Sequence, residues 1–474
     1  MTNNSPMMYR VKRGRSDRRF PTLPRKGRIR LLLAVFFILG IIRIGPPLLK
    51  KFELPAQASA NDTALKVPAA SAKKQKKNAL ISPSPLVATL MKGNPSWTPE
   101  NRTPVFDGRD SLLLCTSIDS SLQAYLSRLM HRYHPLYGGI VALNPVSGRI
   151  LAMVSYIGDS MPAPEVNLCL TSSFPAASVY KTITAAAAIE LAGFSAVCSV
   201  EHRGRNHTLY KSQLAENLEY SVSISFDKAY ARSINAVFAR VGIYELGAPK
   251  LYRFSDRFGF NHAPPGDLPC EPSRIFMPDS QFELAELASG FNQRTTISPL
   301  HGALIAAGIA QKGLMPVPTL VDSIIRLSDS TVRYRRTDRS WLNPVKASTA
   351  LELQKMMHSV VKYGTAAKQF RTLQRSSWFD EFNCGGKTGS VDKDGTGRVD
   401  WFIGFAEHPQ RIDERIAIGA VTVHGAYWTV HSSYLAAEAI RYYLKALQEH
   451  KAEQEKMIAA ANSTDTTSSR TATP

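Results

Sequence analysis

Cysteine is scarce in this chain, five among 474 residues. Cys115, Cys169, Cys198, Cys270 and Cys384 contain no C-x-x-C pair, so a zinc ribbon is not indicated. Buried apolar thiols are expected, although an oxidising compartment would permit pairs such as Cys169 with Cys198. The chain also lacks H-E-x-x-H and G-x-S-x-G, which sets aside zinc metalloproteases and nucleophile-elbow hydrolases. Asp392-Lys393-Asp394-Gly395 opens like a calcium loop, but Ile403 stands where a glutamate is needed, so a turn is expected. His131 and His134 are spaced i, i+3 without an acidic neighbour, which reads as a surface pair rather than a metal site. No repeat is evident. Acidic residues are nearly missing from the first thirty positions, where ten Lys and Arg face Asp17 alone.

That imbalance accounts for part of the net charge of +20. A second cluster, Lys73, Lys74, Lys76 and Lys77, follows. The basic residues flank an apolar run, LLLAVFFILGII at 31–42, so a membrane is a better match than nucleic acid. Extended through Arg43 to Leu49, the run is long enough to span a bilayer, which takes about 20 residues. The expected organisation is a basic cytoplasmic tail at 1–30 and a single transmembrane helix at 31–49. The chain after it would lie on the periplasmic, extracytoplasmic side. A cleaved signal peptide is the competing reading, with Ala58-Ser59-Ala60 as a small-x-small site far from the apolar run. Residues 50–110, rich in Ala, Pro, Ser, Asn and Lys, read as a flexible tether. Residues 111–450 read as the folded domain and 451–474 as a disordered tail.

Within 111–450 the periodicity changes several times. Residues 117–134 carry helical spacing. GGIVALNPVSGRILAMVSY, 138–156, reads as a hairpin about an Asn-Pro-Val-Ser-Gly turn. A long, mostly helical stretch follows, then strand-like runs at 385–391, 400–407 and 415–425, and a final helix. Strands at both ends with helices between them predict an α+β fold. One antiparallel sheet, flanked by helices, is drawn from both ends of the domain, with an all-helical lobe in the middle.

Three short patterns carry chemistry. Ser178-Val179-Tyr180-Lys181 opens a run of Ala, Ile and Leu that suits a buried helix. On a helix, i and i+3 share a face, so the hydroxyl and the amine would sit side by side. Burial lowers a lysine's pKa, and a lysine made partly neutral can take a proton from a serine. A helix cap beside a snorkelling lysine has the same pattern. Ser233-Ile234-Asn235 pairs a hydroxyl with an amide, which capping in a loop also explains. Lys387-Thr388-Gly389-Ser390 starts a strand, where an edge lysine and a turn would serve equally.

Taken in order, S-x-x-K, S-x-N and K-T-G resemble the motifs of the penicillin-binding proteins and serine β-lactamases. GIVALNPVSGRILAMVS is similar to the first hairpin of the family's transpeptidase domain. TTISPLHGALIAAGIAQKGLMPVPTLV and DWFIGFA resemble further segments of it, so the resemblance covers about 115–448. Ser178 to Lys387 spans 209 residues, an interval much longer than in class D β-lactamases and similar to peptidoglycan transpeptidases. Ser390 stands where the family more often has threonine. Residues 51–110 are shorter than the pedestal of the family's monofunctional enzymes and leave no room for a glycosyltransferase.

The resemblance implies a serine-type D-Ala-D-Ala transpeptidase that needs no cofactor and no metal. Ser178 would attack, Lys181 take its proton, Ser233 relay a proton to the leaving D-alanine and Asn235 orient Lys181. Lys387 and Thr388 would bind the donor's terminal carboxylate, with Gly389 and Ser390 completing that strand. Backbone N–H groups of Ser178 and Ser390 would hold the oxyanion. Implied partners are peptidoglycan stem peptides, β-lactams, the bacterial inner membrane through the anchor, and other cell-wall synthesis proteins. The alternatives are a D,D-carboxypeptidase or class D-like β-lactamase, and a catalytically silent penicillin-binding scaffold.

Overall fold

The computed structural model describes residues 85–92, 101–159, 161 and 167–468. The expected cytoplasmic tail and membrane anchor lie outside these residues. Among the described residues no helix is long and apolar enough to cross a membrane.

Helix α1 (Pro85–Lys92) precedes strands β1 (Arg102–Phe106) and β2 (Ser111–Thr116). Helix α2 (Ser120–Tyr133) begins at Asp119, whose carboxylate accepts the Leu122 N–H at 2.9 Å, as an N-cap should. Strands β3 (Tyr137–Leu143) and β4 (Ile150–Ile157) form the expected hairpin. Asn144 closes its turn by accepting the N–H groups of Val146 and Ser147, each at 3.0 Å. The middle of the chain is helical: α3 (Lys181–Ala192), α4 (Phe226–Ala231), α5 (Asn235–Arg240), α6 (Ala248–Arg257), α7 (Gln281–Ser289) and α8 (Pro299–Ala310). Strands β5 (Val321–Arg326) and β6 (Val332–Arg335) lead to α9 (Ala347–Lys362) and α10 (Ala367–Gln374). Strands β7 (Asn383–Lys393), β8 (Gly397–Glu407) and β9 (Arg415–His424) precede the closing helix α11 (Ser432–Ser468).

The central sheet has five antiparallel strands in the order β7-β8-β9-β3-β4. It joins the first hairpin to the last three strands, as the apolar runs at both ends predict. Strand β9 is buried at nearly every position, because helices cover both faces; this also explains its unbroken apolar sequence. All twelve residues of α8 are buried. The helix packs on β9, β8 and β3, while α2 and α11 cover the opposite face. Its close approach requires glycine: a Cβ on Gly419 would fall 2.1 Å from the Pro299 carbonyl oxygen.

The expected domain borders differ from the structure at both ends. Helix α1 and strand β1 fall within the stretch read as tether. Strand β1 pairs with β2 in a second sheet, β1-β2-β5-β6, over a small core of Val87, Leu112, Leu114, Val321 and Ile324. Its partner β2 pairs in turn with β5, about two hundred residues further along the chain, a contact that local composition does not encode. At the other end, α11 continues through Ser468 into the stretch read as a disordered tail. Residues 451–457 are exposed and rich in Lys, Glu and Ala, so helix propensity rather than core contact carries them. All five cysteines are free thiols, Cys169 and Cys198 included. His131 bonds the Ser127 carbonyl at 2.8 Å and His134 the Tyr156 hydroxyl at 3.2 Å.

The packing of α8 yields a stability test. Gly419→Ala forces backbone against backbone and should cost about 2–3 kcal/mol or more in a denaturant titration. Gly425→Ala, whose Cβ would meet only Leu136 Cδ1 at 3.7 Å, should stay within about 0.5 kcal/mol of the parent.

Candidate active site

Ser178 does not sit inside the α-helix, which begins only at Lys181. Residues Phe174–Pro175 form a short strand against Thr296–Ile297, and Ala177–Tyr180 form a 3₁₀ turn that runs into α3. In 3₁₀ geometry side chains at i and i+3 eclipse each other, which brings Ser178 and Lys181 closer than an α-helix would. Ala177 enters the turn at φ +50°, a strained left-handed conformation that the surroundings must impose. They do so from two sides. A Cβ on Gly290, at φ +67°, would lie 1.9 Å from the Ala177 carbonyl oxygen, and one on Gly389 would lie 3.2 Å from Ser178 N. The turn is thus clamped between the end of α7 and strand β7. Beneath it, Trp401 of β8 donates its indole N–H to the Pro175 carbonyl at 2.8 Å.

Lys181 is fully buried. Its Nζ donates to Ser178 Oγ at 2.7 Å, to Asn235 Oδ1 at 2.7 Å and to the Ser289 carbonyl at 2.6 Å. All three partners are uncharged. Burial, reinforced by the nearby charge of Lys387, holds the Lys181 pKa well below the ordinary lysine value. An amine in this state is suited to accept the Ser178 proton.

Lys387 is also fully buried, and burial lowers its pKa to about 7. Its Nζ donates to Ser233 Oγ at 3.0 Å and to the Thr388 carbonyl at 2.9 Å. The two buried amines are thereby tied to different hydroxyls of one site. Ser233 follows α4 at φ +55°, and Asn235 opens α5 with its N–H bonded to the Asn206 carbonyl at 2.7 Å. On β7, the edge strand of the central sheet, Thr388 is half-buried and Ser390 exposed. Ser390 lies directly opposite Asp400.

Ser178, Ser233, Asn235, Thr388, Gly389 and Ser390 line one groove of about 930 Å³. The eight residues singled out from the three motifs therefore meet in one place: six line the groove and Lys181 and Lys387 lie beneath it. Several contributors carried no sequence signal. The Ser289 carbonyl acts through the backbone, so its residue type is silent. His207 lines the groove, its pKa lowered chiefly by burial and then by Lys181 and Lys387. Thr365 reaches Thr388 from the turn between α9 and α10. Gly290, a left-handed C-cap after an apolar helix, was the one readable from pattern alone. Among the described residues, no three or more His, Cys, Asp or Glu side chains gather as a metal site. The Asp392–Gly395 segment lies at the β7–β8 hairpin, where Arg398 pairs with Asp392 at 2.7 Å.

Comparison with known proteins follows the same lines. The model of the penicillin binding protein transpeptidase domain matches residues 138–441. Among curated relatives, the peptidoglycan D,D-transpeptidase PbpA of Mycolicibacterium smegmatis is 26% identical over 325 residues, covering 61% of this chain and 62% of that protein. Stage V sporulation protein D of Bacillus subtilis is 26% identical over 341 residues, covering 65% of this chain and 49% of that protein. The chain thus spans about half to three-fifths of the length of these relatives. Among solved structures, the imipenem acyl-enzyme complex of penicillin-binding protein A from M. tuberculosis superposes with a TM-score of 0.57 at 23% identity, covering 69% of this chain and 78% of that one. The D,D-transpeptidase domain from Eggerthella lenta gives 0.58 at 21% identity, with 70% and 83% covered. The order of the three motifs, their convergence on one groove and the span of the match lead to one conclusion: this chain belongs to the penicillin-binding protein transpeptidase family.

Proposed function

We propose that the chain is a peptidoglycan D,D-transpeptidase that works through an acyl-enzyme on Ser178 and is acylated by β-lactams. The observation that carries this reading is the 2.7 Å contact between the buried Lys181 amine and Ser178 Oγ. A desolvated amine with only neutral partners has little structural use and a clear chemical one.

Ser178 Oγ attacks the carbonyl between the two terminal D-alanines of a stem peptide, and Lys181 Nζ accepts its proton. The tetrahedral oxyanion forms against the backbone N–H groups of Ser178 and Ser390. Loss of one such donor costs about 3 kcal/mol in known cases. Ser233, held by Lys387, passes a proton to the departing D-alanine nitrogen as the C–N bond breaks. Asn235 keeps Lys181 in place through Oδ1. The donor's terminal carboxylate binds Lys387 and Thr388, a cation and a hydroxyl for an anion. An amine from a neighbouring stem peptide then attacks the ester and gives its proton to Ser233, the bond to Ser178 Oγ breaks as Lys181 returns the proton it took, and the crosslink forms. In the same reading residues 31–49 anchor the chain in the bacterial inner membrane, with the groove on the periplasmic side and within reach of other cell-wall synthesis proteins.

Mass spectrometry after incubation with benzylpenicillin should find the adduct on Ser178 with a lifetime of hours, and none in Ser178→Ala. Turnover within seconds would favour a β-lactamase. An unmodified Ser178 in a folded protein would favour a silent scaffold.

The pKa directions add a second expectation. Acylation of the free protein needs Lys181 neutral and Lys387 charged. The second-order acylation constant should climb as Lys181 loses its proton, then fall as Lys387 loses its own, with the alkaline limb near pH 7. The two amines interact, so the limbs belong to the pair. A constant that stays level to pH 9 would show that Lys387 keeps its proton and would remove it from this role.

A further inference from the structure

The turn between α9 and α10, Gly364-Thr365-Ala366, joins two of the three catalytic segments, and no motif includes it. The Thr365 N–H donates to the Ala231 carbonyl at 3.1 Å, two residues before Ser233. Gly364 is pressed against the same carbonyl, so closely that a Cβ there would sit 2.5 Å from the oxygen. The Thr365 side chain points the other way. Its Oγ1 lies 2.5 Å from Thr388 Oγ1, and both residues line the groove.

Two hydroxyls in contact share one hydrogen bond, and its direction decides what the second can do. If Thr388 donates to Thr365, its only proton is engaged. If Thr365 donates to Thr388, the Thr388 proton is free for a ligand. An anion in the groove favours the second arrangement, because it accepts the Thr388 proton and polarises the whole chain. The anion would also lie near Lys387, whose ammonium is fixed on the Thr388 carbonyl at 2.9 Å.

We propose that Thr365 is a positioning residue for carboxylate recognition. It donates to Thr388 Oγ1, so that the Thr388 hydroxyl donates to the terminal carboxylate of the donor peptide or of a β-lactam. This rests on the transpeptidase reading and extends it by one residue. It predicts a role in selecting anionic over neutral donors, not in the chemistry at Ser178. A threonine that merely braces the turn would serve both kinds of ligand equally.

The test compares benzylpenicillin with its methyl ester, which lacks the anion. Acylation of Ser178 is followed by mass spectrometry in the parent protein, Thr365→Val and Thr365→Ser. Valine keeps the shape and removes the hydroxyl; serine keeps the hydroxyl. Thr365→Val should lower the second-order constant for the acid about tenfold, a loss of about 1.4 kcal/mol. The loss should appear in the concentration for half-maximal rate and leave the limiting rate in place. The constant for the ester should stay within about twofold, so the acid-to-ester ratio falls about tenfold, and Thr365→Ser should keep the parent ratio. The ratio is taken within one preparation, so an unfolded fraction cancels. Equal losses for acid and ester, or an unchanged ratio in Thr365→Val, would overturn the inference alone. A parent protein whose Ser178 is never acylated would overturn the transpeptidase reading and this inference with it.

Discussion

An amine with no counterion among the described residues lies at the centre of this protein. Lys181 is sealed from water and held by a hydroxyl, an amide oxygen and a backbone carbonyl. Burying an ammonium in such company is unfavourable, and the amine responds by giving up its proton more easily. Much of the nearby architecture has to exist before that environment can. The end of α7 supplies the Ser289 carbonyl, the start of α5 supplies Asn235, and the strained turn at Ala177 brings Ser178 into reach. Lys387, one strand away, adds a second positive charge that pushes the Lys181 proton off further.

The site is a junction rather than a property of any one element. A 3₁₀ turn, a loop after α4, an edge strand and the turn before α10 each contribute groups, the edge strand four of them. Glycines at 290 and 389 let these pieces touch without side chains between them. The sheet gives the junction its rigidity, because β7 is paired along its whole length with β8, and the Trp401 indole fastens β8 to the segment before Ser178. Strain of the kind seen at Ala177 and Ser233 is tolerated where the surroundings over-determine the backbone.

Legibility in the sequence followed the range of the interactions. The hairpin at 138–156 and the strands near 385–425 were readable because their apolar runs and turn residues are local signals. Strand β1 was not, because its stability comes from β2 and from the small core it shares with α1 and β5. The polar composition past residue 450 suggests disorder, although Lys, Glu and Ala are also good helix formers and α11 continues through Ser468. In the site, the eight motif residues were legible because their side chains are chemically distinctive. Ser289 and Thr365 were not: one acts through a carbonyl that every residue has, and the other is an ordinary threonine until Thr388 is placed beside it.

The sequence by itself determined the order of S-x-x-K, S-x-N and K-T-G, the α+β character and the identity of the side chains that meet at the groove. It did so because residue type and short-range spacing are all that such features need. Only the tertiary structure decided that Lys181 is held by three neutral partners, that Ser178 and Lys181 share a 3₁₀ turn rather than an α-helical one, and that Lys387 holds Ser233. Those facts depend on contacts between segments 50 to 210 residues apart, roughly, and on the exclusion of water, which sets the strength of every charge at the site. A linear pattern names the groups, but burial and neighbours set their protonation.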